Sequence, residues 1–282
     1  MWWVGALVVV LSTVMFYLSS KLTEVEGGKG FNYVVYPWVT TLPETLASTL
    51  LLIKGLSTAS LYNSIFSATF DLCVIIGLVA IIYGSIKVSD LIDMALITSL
   101  SAFVFLFLAF DSVITPTDSI ILYAVLLTSM IYGYFVGWGK PKTNWLVVVA
   151  GLLLSAVSCY FLVEGIDVLC RYIPEAYGGV ISAVATSVPD FIVALIYGLR
   201  TQEAVASIYG CIMHDFVENI SSAVLVASLV GVGGLRIADI PATVMVTSVT
   251  ALMVLLITSY GRITRFEGVL LLLAFIILLV LV

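Results

Sequence analysis

The apolar positions of this 282-residue chain fall in long unbroken runs, not in the alternation of a half-buried strand. Such runs lie near 2–20, 37–54, 60–83, 90–109, 118–137, 144–163, 178–199, 204–232, 239–258 and 265–282, with short polar connections between them. Each is close to the ~20 residues that a helix needs to cross ~30 Å of hydrocarbon. Continuous runs of this length predict helices, since a spanning barrel would alternate over about ten residues at a time. The pattern therefore predicts an all-α, multi-pass integral membrane protein of ten transmembrane helices, with no room for a soluble domain.

Composition agrees. Hydrophobic residues make up 62% of the chain and charged residues 10%, against roughly 25% charged in a soluble domain. The first run has no basic segment ahead of its apolar core, so it reads as a retained helix and not as a signal peptide. Cys73, Cys159, Cys170 and Cys211 fall mostly inside predicted helices, with no CxxC pair, and read as packing residues. The net charge of −6 says little about surface partners, because several acids sit inside predicted spans. Nothing in the chain suggests a nucleic-acid partner.

The connecting loops carry a more useful asymmetry. Lys21, Lys29, Lys87, Lys140, Lys142, Arg200, Arg262 and Arg265 fall on one side of the predicted membrane, and Lys54, Arg171 and Arg236 on the other. The positive-inside rule makes the richer side cytoplasmic and places both termini outside. Glu164, Asp167 and Glu175 are then expected in loops on the outer side, where they are solvated or draw in cations. Trp2, Trp3, Trp38, Trp138 and Trp145 lie near span ends and read as interfacial anchors.

Two short motifs break the greasy background. Thr40-Thr41-Leu42-Pro43-Glu44 corresponds to Thr186-Ser187-Val188-Pro189-Asp190, 146 residues further on. Each motif lies in the second helix of its half if the chain divides five plus five, as 1–140 and 141–282. An odd number of helices per half makes the second half enter the membrane from the opposite face, which is an inverted repeat. A polar helix follows each motif: Asn63, Ser67 and Asp71 recur every four residues, and so do Gly210, His214 and Glu218, with Asp215 and Asn219 beside them.

Carboxylates at this depth are costly and are expected to have a partner. A mid-helix proline removes an amide donor and frees a carbonyl oxygen one turn earlier, next to the Thr and Ser hydroxyls. Carboxylate, hydroxyl and carbonyl oxygens from two inverted hairpins suit Ca2+, which takes 6 to 8 oxygens at about 2.3–2.6 Å, and sodium could use smaller sets of them.

The paired TTLPE and ATSVPD motifs, each followed by a polar helix, resemble the two alpha repeats of the cation/calcium exchanger superfamily, and the resemblance to its short prokaryotic type covers essentially the whole chain. It implies ten helices in two inverted repeats, both termini outside, a prokaryotic plasma membrane, and inorganic cations as partners without any cofactor. It also implies a cation-binding set of Glu44, Asp190, Thr40, Thr41, Thr186, Ser187, Ser67, Asp71, His214 and Glu218. Glu44, Asp190, Asp71 and Glu218 are its acidic metal ligands, and Asn63 and Asp215 stand behind them. The family's GN-x-x-GSN pattern reads here as YNSIFSA and YGCIMHD, with His214 in place of a Ser, Asp215 in place of an Asn, and Asp71 where Asn is frequent.

The expected function is a secondary antiporter, not an enzyme, that exchanges calcium for sodium by alternating access. A proton-coupled antiporter for calcium or another divalent cation is the alternative, prompted by Asp71 and His214. An intramembrane metallohydrolase built on His214 and Glu218 lacks ligands, since the chain has one His and no HExxH. An ion channel would not call for four buried acids in paired inverted motifs.

Overall fold

A computed structural model describes residues 2–22, 28–137, 144–197, 199 and 202–281. Lys140, Lys142, Arg200 and Trp138, used above for orientation and anchoring, lie outside the described residues. The elements in order are α1 (Trp2–Ser20), α2 (Lys29–Thr40), α3 (Leu42–Ile53), α4 (Ser57–Phe70), a π-turn (Asp71–Ile76), α5 (Gly77–Tyr83), β1 (Ser85–Lys87), α6 (Ile92–Ala109), β2 (Val113–Ile114) and α7 (Pro116–Gly137). They continue with α8 (Trp145–Cys170), α9 (Glu175–Tyr197), α10 (Gln202–His214), a second π-turn (Asp215–Asn219), α11 (Ile220–Leu229), β3 (Leu235–Arg236), α12 (Ile240–Ser259), β4 (Arg262–Thr264) and α13 (Arg265–Val280).

Seven of these helices, counting Ser57–Tyr83 as one, are long and apolar enough to cross a membrane. The other three predicted runs are realised as α2 with α3, as α10 with α11, and as the 16-residue α13. Many large apolar side chains are exposed, among them Leu146, Phe107, Phe135 and Leu229, as expected where the solvent is lipid. Trp2, Trp3, Trp38 and Trp145 are exposed.

The helices pack across the chain. α1 lies on α8, α4 on α9, α2 on α10, α6 on α12, α5 on α13 and α7 on α11. Two small antiparallel pairings do the same at the connections, β1 with β4 and β2 with β3. Without a hydrophobic drive between helices in lipid, such contacts depend on close backbone approach at small residues. Gly210 of α10 meets the Tyr33 carbonyl of α2, where a Cβ would stand 2.1 Å from the oxygen; Gly179 of α9 meets the Ala59 carbonyl of α4, where it would stand 2.5 Å away.

The ends are tied by charge. Lys29 meets Asp90 at 3.9 Å and donates to Gln202; hydrogen bonds from Gln202 and then Ser89 hold the exposed Asp90 carboxyl below the usual aspartate range. At the other end Lys54 reaches Glu164 at 3.0 Å and Asp167 at 3.8 Å, and Arg171 reaches Asp167 at 3.2 Å. Glu164 and Asp167 are thus helical and not loop residues, because α8 runs on to Cys170. Glu175 opens α9, where the helix N-terminus favours a negative charge.

Candidate functional site

The first motif interrupts a helix. Pro43 supplies no amide to the Val39 carbonyl, α2 ends at Thr40, Thr41 turns the chain with its amide bonded to the Pro37 carbonyl at 2.7 Å, and α3 starts at Leu42. Glu44 therefore lies in the first turn of a new helix, buried at 2% exposure. The second motif differs: Pro189 sits inside an unbroken α9, and Asp190 follows it, partly exposed. Asp71 and Asp215 are buried, and each is the first residue of a π-turn.

These four acids come together. Glu44 lies within electrostatic reach of Asp190, Asp71 of Asp190 and Glu44, and Asp215 of all three. The Ser187 hydroxyl donates to Glu44 Oε1 at 3.4 Å, so one motif's hydroxyl meets the other motif's acid. Asn63 Nδ2 donates to the Glu44 carbonyl at 3.1 Å and to Ser48 Oγ at 2.9 Å. Asn219 Nδ2 donates to Asp215 Oδ1 at 2.6 Å, and Asn219 accepts in turn from the Thr45 hydroxyl. Among the described residues, Glu44 Oε2, Asp71 Oδ1, Asn63 Oδ1 and Ser67 Oγ are buried without a hydrogen-bond partner.

The predicted hydroxyls are placed unevenly. Thr40, Thr41 and Thr186 bond back to carbonyls of their own helices, Thr40 to Tyr36 and Pro37, Thr41 to Pro37, and Thr186 to Ser182 and Ala183. Thr40, Thr186, Pro189 and Asp190 line a narrow cleft together with Ser19 of α1 and Ser155 of α8. The cleft holds ≈ 10 Å³, about one water-sized sphere. Ser19 and Ser155 are joined by a 2.7 Å hydrogen bond.

Glu218 Oε2 lies 2.5 Å from His214 Nδ1, and its charge bears on Tyr123 of α7. Asp215, expected behind the ligands, bears electrostatically on Asp71, Glu44 and Asp190. His214 and Glu218 share one face of this helix, joined side chain to side chain, while Asp215 beside them bears on the other acids. Asp71 and Asp215 each open a π-turn, but the 146-residue step between the proline motifs carries Asp71 onto Val217, so the sequence alone does not pair them.

Four carboxylates in low dielectric repel one another and lose hydration, a cost offset by a cation or by protons. Among the described residues no three His, Cys, Asp or Glu side chains close tightly enough to hold a metal ion by themselves. A cation bound here would need the carbonyl and hydroxyl oxygens beside the acids as well.

A family model described as sodium/calcium exchanger protein matches residues 1–135 and 143–282. Comparison with curated proteins finds no match. Among solved structures, the crystal structure of the H+/Ca2+ exchanger CAX is similar with a TM-score of 0.81 at 15% identity, over 98% of this chain and 82% of that one. The sodium-calcium exchanger NCX_Mj soaked with 2.5 mM Na+ and 10 mM Sr2+ is similar with a TM-score of 0.68 at 20% identity, over 98% of this chain and 95% of that one. In 100 mM Na+ and 10 mM Sr2+ the same exchanger gives 0.67 at 21% identity, over 99% of both chains. At these identities the likeness is one of fold.

Proposed function

The chain belongs to the sodium/calcium exchanger protein family, and from that premise we propose that it is a secondary antiporter moving Ca2+ in exchange for Na+ by alternating access. The observation that carries this reading is the gathering of Glu44, Asp71, Asp190 and Asp215 from the two parts of the chain that the family model matches separately. These acids, with the hydroxyl and carbonyl oxygens of Thr40, Thr41, Thr186 and Ser187 and the Ser67 hydroxyl, are the proposed cation ligands, with Asn63 orienting Glu44. His214 and Glu218 stand behind Asp215.

The architecture proposed with it is ten spans in two inverted repeats, 1–140 and 141–282. It is supported by the paired motifs, by the two π-turns opened by acids, and by helix contacts that come in exchanged pairs, α4 on α9 and α2 on α10. The loop charges favour a plasma-membrane orientation with both termini outside.

Charge explains why the transport is exchange. An emptied site would carry up to four negative charges through low dielectric, so it reorients only when a cation or protons fill it. Nothing in this chemistry asks for a cofactor or for bond-breaking.

Protons are the second reading for the coupling ion, favoured by the buried His214–Glu218 pair beside Asp215. Calcium uptake into vesicles under an imposed sodium gradient at equal pH, compared with uptake under a pH gradient without sodium, separates the two. Uptake driven only by the pH gradient would refute sodium coupling; uptake under neither, with no exchange of labelled calcium, would refute the exchanger reading.

A further inference from the structure

Cys211 does not sit among packing residues alone. It lies on α10 one turn before Asp215, at the place that Ser67 takes one turn before Asp71. The second polar helix thus presents sulfur where the first presents a hydroxyl. Cys211 Sγ lies 3.6 Å from the Thr40 hydroxyl, and Thr40 lines the cleft beside Asp190. Asp71, Asp190 and Asp215 all bear electrostatically on the thiol, which is buried at 2% exposure. Asp71, one of the acids that bear on the thiol, is buried to within 3% and its Oδ1 has no hydrogen-bond partner among the described residues, as is also true of Ser67 Oγ one turn before it.

The other cysteines differ. Cys73 is buried, with no charged group among the described residues bearing on it. Cys159 donates to the Pro43 carbonyl at 3.5 Å and is near Glu44 alone. Cys170 is only partly buried and lies at the end of α8 beside Asp167 and Glu175. A thiol among three carboxylates neutralises none of them, so packing gives no account of its company.

Resting on the exchanger reading, we infer that Cys211 is a specificity-determining residue of the cation site, whose sulfur favours a thiophilic divalent cation of the Zn2+ or Cd2+ type over Ca2+. Hard Ca2+ takes oxygen ligands and gains nothing from sulfur. Zn2+ and its heavier congener bind thiolate strongly, and ligand softness is a main lever of selectivity among divalent ions. A hydroxyl at this position would leave the site all-oxygen.

The test uses the full-length protein in detergent, in a Cys170→Ser background that removes the peripheral thiol, titrated with Cd2+. A Cd2+–thiolate charge-transfer band should appear in the ultraviolet, be lost in Cys211→Ser, persist in Cys159→Ser, and be reversed by excess Ca2+. In proteoliposomes the ratio of Cd2+ to Ca2+ uptake should fall at least about tenfold in Cys211→Ser. No band before any change at Cys211, a band surviving Cys211→Ser, or a band that Ca2+ does not compete away would each overturn the inference, and the first and last need no variant to fold. Ca2+ uptake with an unchanged Cd2+ to Ca2+ ratio would overturn this inference alone. Absence of uptake of either cation would overturn the exchanger reading and this inference with it.

Discussion

The Ser187 hydroxyl donates to the Glu44 carboxylate at 3.4 Å, joining the two proline motifs although 143 positions separate them. The acids that follow the two prolines therefore share one environment, and neither should be dispensable. We expect Glu44→Gln and Asp190→Asn each to lower calcium flux in proteoliposomes by about two orders of magnitude, the ~3 kcal/mol scale of a lost charged partner. Thermal melts in detergent should show both variants folded. Substantial flux in both would end the assignment.

Asp215 and Glu218 offer a sharper comparison, because they lie three residues apart on one helix and face different groups. Asp215→Asn should weaken apparent calcium affinity tenfold or more, ~1.4 kcal/mol, whereas Glu218→Gln should leave it closer to the parent. Calcium titrations of flux on the two variants decide, and the reverse order would return Glu218 to the site.

This contrast also marks where the sequence stops being legible. The ten apolar runs and the acids after Pro43 and Pro189 were readable because length, hydropathy and a repeated motif are local signals. The place of Asp215 was not, since the motif step of 146 residues carries Asp71 onto Val217, and no proline or glycine announces that the second polar helix is out of that step. Glu164 and Asp167 were expected in a loop because acids near the end of an apolar run look like its boundary; α8 carries them as helix and pairs them with Lys54 from α3. The interruption at Thr41 was foreseeable from Pro43, but the unbroken α9 around Pro189 was not, because tertiary packing decides whether a proline breaks or merely loosens a helix.

Thr45 positions Asp215 indirectly, through Asn219. Thr45→Val should cost ~1–3 kcal/mol of stability by leaving Asn219 short of a donor and should weaken calcium affinity as well. Thr45→Ser, which keeps the hydroxyl, should restore both. A Thr45→Val protein with lowered melting temperature but unchanged calcium affinity would confine Thr45 to a packing role.

Gly210 tests the packing of α2 on α10. A Cβ there would collide with the Tyr33 carbonyl, and backbone does not yield as a side chain does. Gly210→Ala should therefore destabilise by at least the ~1–3 kcal/mol of an overpacked core. Gly233→Ala, at a position with nothing within 4 Å, should be nearly silent. Equal melting temperatures for the two variants would contradict the close approach.

The cleft beside Asp190 favours one motif over its twin. Asp190 is partly exposed beside Pro189 at the cleft wall, while Glu44, its counterpart, is sealed at 2% exposure. Under the proposed inverted repeat, such inequality between matched positions is a time stamp, marking one end of the proposed stroke. On that proposal, trading the conformations of the two halves writes down the other end, in which α3 would open at Glu44, α9 would close over Asp190, and water would reach the acids from the opposite face.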